Sequence, residues 1–214
     1  MDIKDLEANI VNSIKESTKE VFYSMLMLDV KADEFFVEDE DNVSTDLISS
    51  LHFFGEKYMG KIAIFAYGAT ACHLAGAMLG IDATVVDEDV KDGMGEIVNM
   101  IAGSAKVKLE STMGDLHLLT PWVIAGKSLT VASPPGGENG LSIESQARFS
   151  WILTKFSYDK RHFVVGVQPN EVPKSSTVES SVERKINELQ AEKMYLEDEL
   201  ALLKTKFSHP DSIV

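Results

Sequence analysis

At 214 residues and 44% hydrophobic content, the chain can bury one domain of ordinary size plus an appendage, and its single cysteine rules out an internal disulfide or a multi-cysteine metal site. A formal net charge of -14 repels phosphate backbones and anionic headgroups, which weighs against nucleic acid and membrane surfaces and points to a protein partner. No stretch approaches the roughly 20 apolar residues of a membrane span, and MDIKDLEANI lacks the basic start and apolar run of a signal peptide, so the expected compartment is the cytoplasm.

Leu6, Ile10, Ile14, Val21, Phe22 and Met25 recur at spacings of three, four and seven, which predicts an amphipathic helix over residues 4–26. Alternating β-prone residues follow from Asp29 to Val37, and the acidic run from Glu38 to Asp41 reads as a loop or strand end. LISSLHFFGEKYMGKIAIFAYG predicts a hairpin turning between Gly55 and Gly60. The Ala-rich run from Ala69 to Leu79 predicts a short buried helix, with Gly80 as its C-terminal cap and Cys72 as an inert buried thiol.

Residues 87–110 predict the most informative helix: Asp87, Glu88 and Asp89 suit its positive N-terminal end, and Lys106 and Lys108 the opposite end. DLHLLTPWVIAGKSLTVA is β-rich with a break at Pro121, and residues 133–140 are a loop by composition. Gln146 to Phe156 and Arg161 to Val167 predict a closing hairpin, and Trp122 and Trp151 are expected in the core or in dimer contacts.

The chain thus reads as an α+β domain over residues 1–167, with helices packed on a largely antiparallel sheet. A linker over 168–181 follows, then a coiled-coil helix over 182–206 and a tail over 207–214. Val182, Leu189, Leu196 and Leu203 fall seven apart, with Ile186, Lys193 and Leu200 in the complementary seam. That pattern fits pairing in a homodimer better than a solitary helix docked on the domain.

Around a helix at about 100° per residue with Glu96 at zero, Val90, Met94, Ile97, Val98, Ile101, Ala105 and Leu109 fall between about 100° and 220°, the expected buried stripe. Asp92, Glu96, Asn99 and Gly103 fall on the opposite face between about 300° and 360°, with Met100 beside them near 40°. Glu96 and Asn99, three apart, are neighbours presented to solvent. Helix periodicity alone accounts for such residues as ordinary solvated surface, although Asn99 and Gly103 are poor helix formers.

The string Glu96-Ile97-Val98-Asn99-Met100-Ile101-Ala102-Gly103, set within DxxxExxNxxxG from Asp92, resembles the ExxNxxxG signature of the CheC, CheX and FliY phosphatase family. VFYSML, FFGEKYMGKIAIFA, MLG and LHLLTPWVIAG are similar, in the same order, to stretches of CheX-type members over residues 5–167. One copy of the signature resembles CheX, whereas CheC-type members commonly carry two. Residues 133–140 and those from 168 onward have no counterpart in a minimal domain of this type.

The resemblance implies a homodimer joined through the sheet that removes phosphate from the phospho-aspartate of a CheY-type response regulator. It implies that Asn99 orients the attacking water and that Glu96 pairs with the lysine beside the receiver's phosphoryl group, with Asp92, Met100 and Gly103 on the partner-binding face. Mg2+ would be held by the receiver, with no cofactor or metal in this chain. The rival expectation is a non-enzymatic receiver-binding or flagellar-switch-associated adaptor; a pure dimeric scaffold is a third. His52, His73, His117, His162 and His209 lack metalloprotease spacing, and no phosphate-binding loop, dinucleotide turn or nucleophile elbow occurs.

Overall fold

The computed structural model describes residues 3–38, 43–131, 151–172 and Lys193. The chain divides into two units, Met1–Val172 and Pro173–Val214; apart from Lys193, which is helical, the coiled-coil expectation over 182–206 lies outside the described residues, as does the loop at 133–140.

Helix α1 spans Ile3–Val21 and buries Leu6, Ile10, Val11 and Ile14, as its spacing predicts. It does not continue as an α-helix to residue 26: Phe22–Leu26 widens into a single π turn. Met27 closes that turn in the left-handed region at φ 56°, its N–H donating to the carbonyl of Phe22. The widening turns Phe22 inward, where its ring stacks on Phe163 at 4.8 Å.

Strands β1 (Lys31–Glu38), β2 (Val43–Gly55) and β3 (Tyr58–Ala66) come next, then helices α2 (Gly68–Leu79) and α3 (Glu88–Met113). Strands β4 (Leu116–Leu118), β5 (Trp122–Val131), β6 (Trp151–Tyr158) and β7 (Arg161–Glu171) complete the described fold. The seven strands form one antiparallel sheet in the order β1-β6-β7-β3-β2-β4, with β5 also pairing β2. The expected hairpin is the β2–β3 pair, and Pro121 separates β4 from β5, where its missing N–H breaks no ladder.

The closing hairpin runs four residues past the end read at Val167, so Gln168 to Glu171, assigned to the linker, belong to β7. Among the described residues the β6 pairing ends at Ile152 opposite Val167, and Pro169 pairs with β3 through Gly60.

All three helices cover one face of the sheet, and the main core lies between the layers, from Ile10 and Ile14 of α1 through Leu47, Leu51 and Ile64 to Val98 and Ile101 of α3. On the other face Ile48, Ala63, Phe65, Trp151 and Leu153 form a smaller cluster. Trp151 is buried there against Phe65, whereas Trp122 is exposed, so only the first meets the core expectation. No described helix is long and apolar enough to cross a membrane.

Candidate functional site

The α3 helix begins where its sequence predicts. The Asp87 carboxylate accepts from the Val90 N–H at 3.0 Å, and Glu88 and Asp89 occupy the positively polarised first turn. Its far end differs from the expectation. The helix continues to Met113 before Gly114 stops it, which places Lys106 and Lys108 inside the helix rather than at its C-terminal end. They find acidic partners off the helix instead: Lys106 pairs with Asp115 at 3.2 Å and Lys108 with Glu20 of α1 at 2.7 Å.

The apolar stripe is buried as read. Val90, Met94, Ile97, Val98 and Ile101 are each 0% exposed, so one full side of α3 is sealed against the sheet and α1. The opposite face therefore looks outward. Asp92 and Glu96 are exposed, Asn99 and Gly103 partly so, and Met100 is half-buried, packed on the fringe of the core. No described residue forms a hydrogen bond or ion pair with Asp92, Glu96 or Asn99, so one carboxylate and one carboxamide stand a helical turn apart with their bonding capacity unspent.

A methyl group added at Gly103 would meet nothing within 4 Å. Val107, at about 20° on the same wheel, extends this face by an apolar residue that is 70% exposed. Its position is legible from the spacing, but the charged residues around it mask it in the sequence.

Residues 93–95, just before Glu96, fix the helix on three sides. A Cβ at Gly93 would lie 3.0 Å from that of Ala75 in α2, the Met94 carbonyl accepts from the Ser49 hydroxyl of β2 at 2.9 Å, and Gly95 faces Val123 and Pro121. None of these contacts is local in sequence. One signal for Ser49 does exist: in the alternation Leu47, Ser49, Leu51, Phe53 it is a lone polar residue on the face that the helices cover.

The other groups offer little chemistry. No cluster of three or more His, Cys, Asp or Glu able to hold a metal occurs among the described residues. Cys72 is buried, and that burial raises its thiol pKa, which keeps it protonated and unreactive at neutral pH.

The family model described as chemotaxis phosphatase CheX matches residues 48–146, a stretch that includes the whole of α3. No curated protein matches the chain in sequence. Among solved structures, the chemotaxis protein CheX from Vibrio vulnificus is similar at 24% identity with a TM-score of 0.63, covering 75% of this chain and 99% of that one. A CheC-like superfamily protein from Shewanella sp. PV-4 shows 21% identity and a TM-score of 0.64, over 79% of this chain and 99% of that one. The CheX–CheY–BeF3–Mg2+ complex from Borrelia burgdorferi is similar at 17% identity with a TM-score of 0.56, over 75% of this chain and 97% of the matching one. The resemblance read from the signature helix is thereby borne out: residues 48–146 match the CheX family model, and the α+β fold is similar to that of the CheX and CheC-like structures.

Proposed function

We propose, from the CheX-type character of residues 48–146, that this chain hydrolyses the phospho-aspartate of a CheY-type receiver domain, with Glu96 and Asn99 as its working side chains. The observation that supports this most directly is the outward face of α3, where Glu96 and Asn99 lie one turn apart without polar partners on a helix whose other side is sealed in the core. A ridge of this kind can enter another protein's active site without rearrangement. The relative from Borrelia burgdorferi is described in complex with CheY, BeF3 and Mg2+, which agrees with a receiver as the partner.

Hydrolysis of an acyl phosphate requires a water aligned with the scissile P–O bond, and positioning and charge stabilisation supply most of the rate. The Asn99 carboxamide does not titrate, and it accepts through Oδ1 and donates through Nδ2, so it holds a water while leaving a lone pair aimed at phosphorus. The water oxygen forms the new bond to phosphorus as the bond to the aspartyl oxygen breaks; the receiver's aspartate carboxylate is regenerated, and phosphate departs carrying the water's two protons. Glu96 pairs with the receiver's lysine beside the phosphoryl group and sets the docking register. Mg2+ belongs to the receiver's site, and the chain works as a homodimer in the cytoplasm.

The test is release of phosphate from a phosphorylated CheY-type receiver, with the wild-type chain and with Asn99→Ala. Acceleration by wild type that falls about 100-fold or more in Asn99→Ala, with receiver binding retained, is the expected result. Binding without acceleration by wild type would reject the enzyme and favour a receiver-binding adaptor.

A further inference from the structure

We propose that Ser49 is a positioning residue for the Glu96–Asn99 pair: its hydroxyl, donating to the Met94 carbonyl, sets the rotation and slide of α3 on the sheet. The proposal rests on the phosphatase reading and adds to it a residue on another element, in the strand layer beneath the site.

The hydrogen bond is 2.9 Å long, and Ser49 is 0% exposed. Within α3 the Met94 carbonyl already has the Val98 N–H as its helical donor partner, and its second lone pair takes the serine proton. Filling space does not explain the residue. Alanine at this position of β2 would occupy nearly the same volume between Leu47 and Leu51 and would bring no polar atom that needs a partner.

A directional contact is what the apolar stripe lacks. Val90, Ile97, Val98 and Ile101 hold α3 down by burial, which has no preferred angle, whereas a hydrogen bond weakens steeply when misaligned. The bonded carbonyl lies two residues before Glu96 and five before Asn99, so little of the helix intervenes to absorb an error. Side-chain atoms sit roughly 5–6 Å from a helix axis, so a rotation of about 10–20° displaces the carboxamide by ~1–2 Å. A displacement near 1 Å is enough to cost about 100-fold in a reaction that depends on alignment. Gly93, tight against Ala75, brings α2 close to the helix at this same turn, and Gly95 faces Val123 of β5 at ordinary contact distance.

The experiment uses the full chain as wild type, Ser49→Ala, Ser49→Thr and Asn99→Ala, with a phosphorylated CheY-type receiver as substrate. Thermal melts establish that each variant is folded at the assay temperature. Ser49→Ala is expected to lower kcat by about tenfold or more while KM stays within about threefold, and Ser49→Thr, which keeps the hydroxyl, to recover most of the rate. An unchanged kcat in folded Ser49→Ala overturns the proposal, and so does a loss that merely tracks the unfolded fraction.

If the wild-type chain accelerates nothing, the phosphatase reading fails, and the catalytic half of the proposal falls with it. The geometric half is then decided by the side-chain amide resonances of Asn99. They shift in Ser49→Ala if the hydroxyl orients the helix, and they stay in place if it does not.

Discussion

Lys108 of α3 reaches the carboxylate of Glu20 in α1 at 2.7 Å, and the same carboxylate oxygen accepts from the Ser104 hydroxyl at 3.1 Å. The two helices are thereby tied at their exposed seam, one turn beyond the outward face that carries Asn99 and Gly103. The Lys108 hydrogen bond, then that from Ser104, holds the Glu20 carboxyl below its ordinary value of 4.5. A depressed folded-state pKa means that the contribution to stability is present above pH 4.5 and is lost as pH falls through the folded value.

Glu20→Gln is therefore expected to melt slightly below wild type at pH 7 and together with it near pH 3, and 1 M salt should shrink the pH 7 difference because the pair is solvated. Melting curves for both chains across that range check it. A gap that persists at pH 3 would mean that Glu20 acts by packing and not through its charge.

A second carboxylate ties three elements together. Asp46 in β2 accepts from the Gly68 N–H, at the start of α2, at 3.0 Å and from the Ser128 N–H of β5 at 3.4 Å. Tyr67, at the N-cap position of α2, makes no capping side-chain bond of its own, so Asp46 supplies the cap from another strand. Asp46→Ala should destabilise the chain by about 1–2 kcal/mol, and Asp46→Asn by less, because the amide oxygen still accepts. Denaturant titration would show a lower midpoint with an unchanged slope; a midpoint equal to wild type would remove Asp46 from the capping role.

These contacts mark the limit of what the sequence discloses. The stripe from Val90 to Leu109, the β2–β3 hairpin and the Gly80 cap are legible because each is a local pattern, set by helical period, strand alternation or the left-handed backbone of one residue. Glu96 and Asn99 are legible as an exposed pair for the same reason. The partners of Ser49, Asp46 and Glu20 are not. Each of these three residues acts on a partner 22 to 88 residues away, and no periodicity encodes that separation. The same blindness misplaces Lys106 and Lys108, whose charges answer Asp115 and Glu20 and not the helix end.

Gly93 tests how tightly α3 is seated. A Cβ there would stand 3.0 Å from that of Ala75 and 3.3 Å from Leu79 Cδ1, closer than packed side chains comfortably approach. Gly93→Val adds two further methyl groups against α2 and is expected to destabilise by about 2–3 kcal/mol, or else to push α3 off its seat. Urea unfolding together with the phosphatase assay distinguishes the two: lost stability with normal kcat in the folded fraction would show that the seat, once formed, is unchanged.

Gly103 presents the opposite situation, and it separates a working face from a merely solvated one. With nothing within 4 Å of the position a Cβ would take, Gly103→Ala meets no obstacle among the described residues. Alanine in a helix interior is more favourable than glycine by about 0.5–1 kcal/mol, so the variant should melt higher than wild type. Glycine is thus a costly choice for α3 itself. If the receiver packs against this turn, the added methyl separates the two surfaces beside Asn99, and the variant should raise KM for the phosphorylated receiver several-fold while gaining stability. Paired melting and kinetic measurements read both quantities. A variant that gains stability and keeps the wild-type KM would show that no receiver contact reaches Gly103.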